Sequence, residues 1–239
     1  MASRKEQKEQ LKREREEREA AAQSAKRRKQ LVGYGVGGAV VVLLLVIAVV
    51  LLGGGGGGSK KAGGGSGVLP GGGSVPKQKV RDLSAAAKAA GCTLINYKGK
   101  SREHTTDVNK KVTYDSKPPT EGNHYQVPAD DGAYTTAPKL VETVHTLEHG
   151  RVVIWFKKSL PAKDRANLKA LFDEDSYQVL LVPDTSGMKY QVAASAWSRD
   201  PVPNGTGRLL GCARFGDGVY DALRAFKDEH RSNGPEAIP

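Results

Sequence analysis

An uncharged apolar segment near the N-terminus constrains this chain more than any other feature. No charged residue lies between Gly33 and Leu52, and residues 39–52 are only Ala, Val, Leu and Ile. A helix of about 20 residues rises roughly 30 Å, which matches the hydrocarbon core of a bilayer. The apolar region of a secretory signal is shorter, about 7–15 residues, and ends at a cleavage site. We therefore predict a retained transmembrane helix over residues 33–52, in contact with the lipid bilayer.

The basic residues on the N-terminal side of this segment predict its orientation. Residues 26–29 are all Lys or Arg, and positive charge stays in the cytoplasm. This predicts a basic cytoplasmic tail over residues 1–32 and an extracytoplasmic location for everything after the span, in a single-pass protein of the cell membrane. Residues 53–76 are mostly Gly and Ser, so we expect a disordered glycine-rich tether. Residues 77–239 then form one extracytoplasmic globular domain.

The net charge of +11 does not indicate a nucleic-acid-binding protein. The predicted tail alone holds 11 Lys and Arg against 6 acidic residues. The remaining basic residues form no stripe that would follow a phosphate backbone. We expect no nucleic-acid partner, and the sequence does not identify a protein partner.

The outer domain mixes helix and strand patterns without a regular βαβ rhythm. Helices are predicted over residues 84–90, after Ser159, and over residues 218–231. Strands are predicted over residues 93–97, 151–156, 177–182 and 190–197. The predicted class is therefore α+β, in a small single globular domain.

Several blocks of the outer domain together resemble one bacterial family. They are Cys92, the loop KPPTEGNHY at residues 117–125, the block VHTLEHGRV at residues 144–152, Ala196-Trp197, and GPEAIP at residues 234–239. The domain resembles the domain of unknown function 3105 over about residues 84–239. The resemblance implies a bacterial, often actinobacterial, membrane-anchored protein, and it supplies no function.

Four of the five histidines make up the main candidate site: His104, His124, His145 and His149. Met188 is expected in a turn between two strands, and it joins them as a candidate ligand. Imidazole and thioether ligands together suit copper, whereas imidazoles alone suit zinc or copper. The sequence thus predicts a transition-metal site, copper before zinc. In the alternative interpretation each histidine bonds local backbone, Met188 fills a gap in the core, and the domain is a cell-envelope interaction module.

The residues from His145 to His149 also match the pattern H-x-x-E-H. On a helix the two histidines would share one face and bind one metal, with Glu148 as the base of a metal-dependent hydrolase. Gly150 and the strand after it are expected to leave too little helix for this motif. The hydrolase is therefore the second alternative, and no catalytic residue is assigned.

Cys92 and Cys212 are the two cysteines of the chain, and both lie in the outer domain. Outside the cytoplasm two thiols tend to pair, so a disulfide between them is a candidate. Two buried, unpaired thiols are the alternative, since sequence shows no geometry.

Overall fold

The computed structural model of the protein describes Leu69 and residues 72–236. The predicted tail, the predicted transmembrane helix and most of the predicted tether lie outside these described residues. Among the described residues, no helix combines the length and the apolar character needed to cross a membrane.

A six-stranded mixed sheet organises the described domain. Its strands are β1 (Cys92–Lys98), β4 (Gly132–Ala133), β5 (Val152–Phe156), β6 (Val179–Pro183), β7 (Val192–Ser198) and β8 (Thr206–Cys212), in the order β1-β8-β7-β5-β6-β4. The neighbouring pairs β1–β8, β8–β7 and β7–β5 are antiparallel, and the pairs β5–β6 and β6–β4 are parallel. Two further short strands, β2 (His104–Thr105) and β3 (His124–Tyr125), form a separate parallel ladder.

Helices cover both faces of this sheet. They are α1 (Leu83–Ala89), α2 (Leu140–Glu148), α3 (Ala162–Glu174) and α4 (Asp217–His230). Side chains alternate between the faces of a strand, so Val152, Ile154 and Phe156 join one hydrophobic cluster with α1, α3 and α4. Val153 and Trp155 join the other cluster, with α2. Burial on both faces explains why β5 reads as one continuous apolar run.

The expectation of a mixed α and β domain is confirmed, and α1, α4 and β5 lie within one residue of their predicted bounds. The parallel strands β5 and β6 with α3 between them form one βαβ unit, which was not expected. Five elements were not predicted at all: the two-residue strands β2, β3 and β4, and the longer elements α2 and β8. In α2 the β-branched residues Val141, Thr143, Val144 and Thr146 lower helix propensity, and in β8 two glycines weaken the strand pattern.

The end of the predicted tether packs against the domain. Leu69 is 5% exposed and belongs to the cluster of α1, α3 and α4, with Val75 packed against that cluster. The Ser74 N–H donates a hydrogen bond to α3, and a Cβ added to Gly73 would overlap the backbone of that helix. Burial of the apolar side chains in this glycine-rich sequence is favourable, because it removes their surface from water. The packed domain therefore begins before residue 77, the predicted boundary.

Hydrogen bonds from α4 hold the next residues of this segment. The Arg224 guanidinium donates to the Pro76 carbonyl at 3.0 Å. The Asp221 carboxylate accepts the N–H groups of Lys79 and Val80, each at 3.0 Å. Residues 72–80 thus form a strap across α3 and α4.

A disulfide bond joins Cys92 and Cys212. The two residues face each other in the register of β1 and β8, with their Cα atoms 4.3 Å apart. The bond ties the edge strand β1 to its neighbour.

Candidate metal centre

Three short elements bring the candidate histidines to one end of the sheet. The ladder of β2 and β3 sets His104 directly beside His124. The last turn of α2 carries His145, and His149 is the C-cap of the same helix. The His124 ring also stands edge-on to the Trp197 indole in β7, with centroids 6.0 Å apart. Long-range packing therefore gathers residues that lie up to 45 positions apart in sequence.

Gly150 ends α2 in a way that leaves the helix intact. The φ angle of Gly150 is +79°. Its N–H donates to the Leu147 carbonyl, and the Arg151 N–H donates to the Thr146 carbonyl. These paired bonds are a Schellman motif, which ends a helix at a glycine. The expectation that Gly150 leaves too little helix for the H-x-x-E-H block is wrong. His145 and His149 lie one turn apart, with their Nε2 atoms separated by 2.9 Å.

Backbone carbonyls determine which nitrogen of two histidines carries the proton. His124 Nδ1 lies 2.8 Å from the Gly122 carbonyl, and His145 Nδ1 lies 2.6 Å from the Tyr125 carbonyl. A carbonyl oxygen only accepts, so each Nδ1 must be the donor. In the neutral rings each Nε2 then carries a lone pair directed into the cluster.

The Glu148 carboxylate completes the cluster and is fully buried. Its Oε1 accepts a hydrogen bond from Arg102 Nε at 2.5 Å. Its Oε2 lies 2.9 Å from His124 Nε2 and 3.6 Å from His104 Nε2, and no hydrogen bond of acceptable geometry reaches it. A buried carboxylate oxygen that accepts no hydrogen bond is costly. A cation beside it, either a proton on His124 or a metal ion, would satisfy it.

Burial and charge set the protonation states that favour a ligand role. Burial lowers the pKa of the His145 ring to about 4. Burial, followed by the positive charge of Arg151, also lowers the pKa of His149. Burial alone would raise the pKa of Glu148, but the neighbouring His124 ring and the Arg102 guanidinium outweigh it, so that pKa is lowered. At neutral pH these histidines are uncharged and Glu148 is ionised, as metal ligation requires.

The first ligand group consists of His104, His124, His145 and Glu148, whose ligand atoms all lie within 4.8 Å of one another. The three ring centroids are separated by 4.4, 4.8 and 4.9 Å. Around tetrahedral zinc, ligand atoms at 2.0–2.1 Å from the metal lie roughly 3.3 Å from each other. In a square-planar site two of three rings would be trans and clearly further apart. This buried cluster could therefore hold a metal ion, and the near-equal spacing of its rings excludes a pair of rings in trans positions.

A second ligand group overlaps the first, because His145 also belongs to a set with His149 and Glu236. Glu236 Oε2 lies 3.3 Å from His149 Nε2. The Glu236 N–H donates to the Glu148 carbonyl at 3.0 Å, which fixes the C-terminal segment beside α2.

Met188 is not brought to this site. Its N–H bonds the Asp184 carboxylate, and the Asp184 N–H bonds the Phe156 carbonyl at the C-terminal end of β5. His149 comes shortly before the start of β5, a strand of five residues, or roughly 17 Å. The Met188 side chain is instead buried in the cluster with α2. The thioether that favoured copper is therefore not available as a ligand.

Two functional residues escaped the sequence analysis. Arg102 belongs to no motif, and no spacing signal could have linked it to Glu148, 46 positions away. Glu236 lies in the C-terminal GPEAIP block, which was noted for its resemblance and not for a carboxylate ligand. Glu148 itself was considered as a base and not as a ligand.

The comparisons with known proteins identify a family and no function. The model of the family described as "Protein of unknown function (DUF3105)" matches residues 104–237, more than half of the chain. This range includes every residue of both ligand groups. No curated protein and no solved structure matches the chain.

Proposed function

Because the chain belongs to the DUF3105 family, whose description names no activity, we propose its function from the geometry of the site. We propose that the domain binds one divalent transition-metal ion through His104, His124, His145 and Glu148. One observation carries this proposal: the buried Glu148 Oε2 accepts no hydrogen bond, although it lies 2.9 Å from His124 Nε2. A metal ion bound to both atoms would satisfy both at once.

Zinc is the ion that the donor set favours, ahead of copper. Three imidazole nitrogens and one carboxylate oxygen are typical zinc ligands, and zinc sites with four protein ligands are tetrahedral. Copper(II) prefers tetragonal geometry, and copper(I) prefers sulfur ligands. Both cysteines are joined in the disulfide, and Met188 lies at the other end of β5. The preference for copper drawn from the sequence is therefore reversed.

The proposed role is to hold the ion, not to catalyse a reaction with it. A catalytic zinc site usually keeps one position open for water, whereas four protein ligands close the coordination sphere. The Glu148 carboxylate would serve as a ligand, with Arg102 bound to its other oxygen. It is then not free to act as the general base of a hydrolase.

One path for the ion would enter from the side of His104. That side chain is 40% exposed, whereas His124 and Glu148 are fully buried. An ion reaching the cluster would meet His104 first and then the buried ligands. This arrangement suits sequestration or transfer of a metal ion.

We also propose that this domain lies outside the cytoplasm on a membrane anchor. The proposal is supported by the apolar residues 33–52, by the basic residues 26–29 before them, and by the positive-inside rule. The Cys92–Cys212 disulfide agrees with an oxidising compartment. Protease protection of the full chain in right-side-out and inverted vesicles tests the topology.

Metal analysis of the full chain tests the metal proposal. The protein is purified in detergent without a histidine tag, its metal content is measured, and the metal-free form is titrated with zinc and with copper(II). We expect about one equivalent of tightly bound zinc, and about a hundredfold or larger loss of affinity in His124→Gln. His230→Gln, which removes a buried histidine in α4, is the matched control and should bind normally. Equal zinc binding by wild type and His124→Gln would contradict the proposal.

In a second candidate function, a second ring proton on His124 takes the place of the metal ion beside Glu148. If His124 carries both ring protons, it forms an ion pair with Glu148, and the cluster is structural in an envelope interaction module. The wild type would then bind no zinc, and NMR would show a doubly protonated His124 ring at neutral pH.

A further inference from the structure

We infer that His149 and Glu236, together with His145, form a second metal position that exchanges its ion with the inner position of His104, His124, His145 and Glu148. This inference rests on the proposed function. Neither the family description nor the resemblance to that family assigns such a position.

The two positions share one nitrogen and therefore exclude each other. His145 belongs to both ligand groups. Its Nδ1 donates to the Tyr125 carbonyl, so Nε2 is its one lone pair for a metal ion. An ion in one position takes this lone pair away from the other. The chain should consequently hold one tightly bound ion and not two.

One guanidinium prepares both positions in the same way. Arg102 Nε donates to Glu148 Oε1, and Arg102 Nη2 lies 3.4 Å from Glu236 Oε1. In each carboxylate the other oxygen, Oε2, is left beside a histidine Nε2: His124 for Glu148, and His149 for Glu236. Arg102 thus orients one carboxylate toward each position, as groups outside a metal's ligand shell commonly do.

Each position has one ligand that is partly exposed to solvent. The Glu236 side chain is 32% exposed and the His104 side chain is 40% exposed, whereas Glu148 is fully buried. His149 Nε2 also lies 2.9 Å from His145 Nε2, so an ion can pass between the groups with His145 as the common ligand. An ion that enters beside Glu236 would occupy this second, outer position first and pass to the inner position by exchanging its other ligands. No bond to His145 needs to break during this transfer.

Zinc titration of the full chain in detergent tests the inference after the inner position has lost one of its four ligands. In His124→Gln we expect one weakly bound zinc ion, whose affinity falls by at least about tenfold when His149→Gln is added. The matched control is His124→Gln with His230→Gln, which should keep the weak site. Replacement of a buried side chain such as His124 can disturb folding, so the same series is repeated on His104→Gln, where the altered side chain is partly exposed. The fluorescence of Trp155 and Trp197 reports whether each variant is folded.

The outcomes separate the inference from the proposed function. If wild type binds no zinc, the proposed function fails, and the inference fails with it. If wild type binds zinc but neither inner variant retains a His149-dependent ion, the inference fails and the proposed function stands. Two tightly bound ions in wild type would also overturn the inference, since His145 could not then be shared. A slower release of zinc to excess chelator in His149→Gln than in wild type would support transfer through the outer position, and an equal rate would count against it.

Discussion

Backbone carbonyls control the chemistry of individual side chains in this domain. The Gly122 and Tyr125 carbonyls hold the Nδ1 protons of His124 and His145, which leaves both Nε2 lone pairs directed into the cluster. An imidazole without such a partner can change tautomer or rotate away. The ligand set is therefore prepared by the chain's own backbone.

At this residue scale, we predict that Arg102→Gln weakens zinc binding by about 10–100-fold, because it releases Glu148 Oε1 and removes an orienting partner of the carboxylate. Competition with a chelator measures the change. Arg224→Gln is the control, because that guanidinium pairs with Glu174 and not with a candidate ligand. Unchanged affinity in Arg102→Gln would show that Arg102 does not position Glu148.

A second residue-scale prediction concerns pH and His230, which packs against the Phe226 ring away from both ligand groups. Burial, followed by the positive charge of Arg208, lowers its pKa to about 4; the Glu229 carboxylate 3.8 Å away does not offset this. In the unfolded chain a histidine pKa is about 6.5. Between about pH 6.5 and pH 4 the unfolded state binds a proton that the folded state does not, so stability falls as the pH falls.

The contribution of His230 is at most about 3 kcal/mol, from roughly 1.4 kcal/mol per pKa unit. It is fully present above pH 6.5 and is lost progressively toward pH 4. Unfolding curves of wild type and His230→Gln across this window measure it, since the other titrating groups cancel in the difference. Parallel curves for the two proteins would exclude the effect.

At the scale of elements, the end of α2 and the C-terminal segment hold each other in place. The Ser232 N–H donates to the Gly150 carbonyl, and the Glu236 N–H donates to the Glu148 carbonyl. A Cβ on Gly150 would lie 2.8 Å from the Gly234 nitrogen, closer than real Cβ atoms approach. Gly150 therefore serves both the helix end and the packing of the segment that carries Glu236.

A side chain on a left-handed backbone costs about 1–2 kcal/mol by itself. We predict that Gly150→Ala destabilises the domain by more than this amount. Gly187→Ala is the matched control, because Gly187 has a similar φ of +76° and no atom within 4 Å of an added Cβ. The difference between the two variants isolates the contact with the C-terminal segment. Thermal unfolding followed by tryptophan fluorescence measures both, and equal losses would mean that this contact contributes nothing.

At the scale of the whole molecule, two long-range connections hold the N-terminal part of the domain to the rest. The disulfide ties β1 to β8 across a sequence separation of 120 residues. The strap of residues 72–80 lies across α3 and α4 through bonds to Ser74, Pro76 and Val80. Neither connection touches a candidate ligand, so stability and metal binding should be separable.

We predict that Cys92→Ser with Cys212→Ser lowers the free energy of unfolding by up to about 4–5 kcal/mol, because the unfolded chain regains the entropy of a long loop. Zinc affinity should be retained at temperatures where the variant stays folded. Denaturant unfolding and zinc titration of the same preparation measure the two quantities. Loss of zinc binding in a folded variant would show that the disulfide shapes the metal centre.

Some elements were predictable because their signals are local. The helix α1 has an alanine-rich sequence, with the Asp82 side chain capping it through the Ala85 N–H. The strand β5 is a run of apolar and β-branched residues. In contrast, α2 and β8 contain residues that are unfavourable locally and are stabilised by tertiary contacts. Glycine is required at Gly211 in β8, where any Cβ would overlap the Tyr190 ring.

The sequence by itself determined the mixed class of the domain, the family resemblance and the residue types able to bind a metal. These follow from composition, periodicity and short motifs, all of which act over a few residues. Only the tertiary structure decided which candidates meet: it gathered the four histidines, recruited Glu148, Arg102 and Glu236, and left Met188 at the far end of β5. The physical reason is that the ligand groups join β2, β3, the end of α2 and the C-terminal segment. Their proximity depends on packing and register between distant parts of the chain, which no local pattern records.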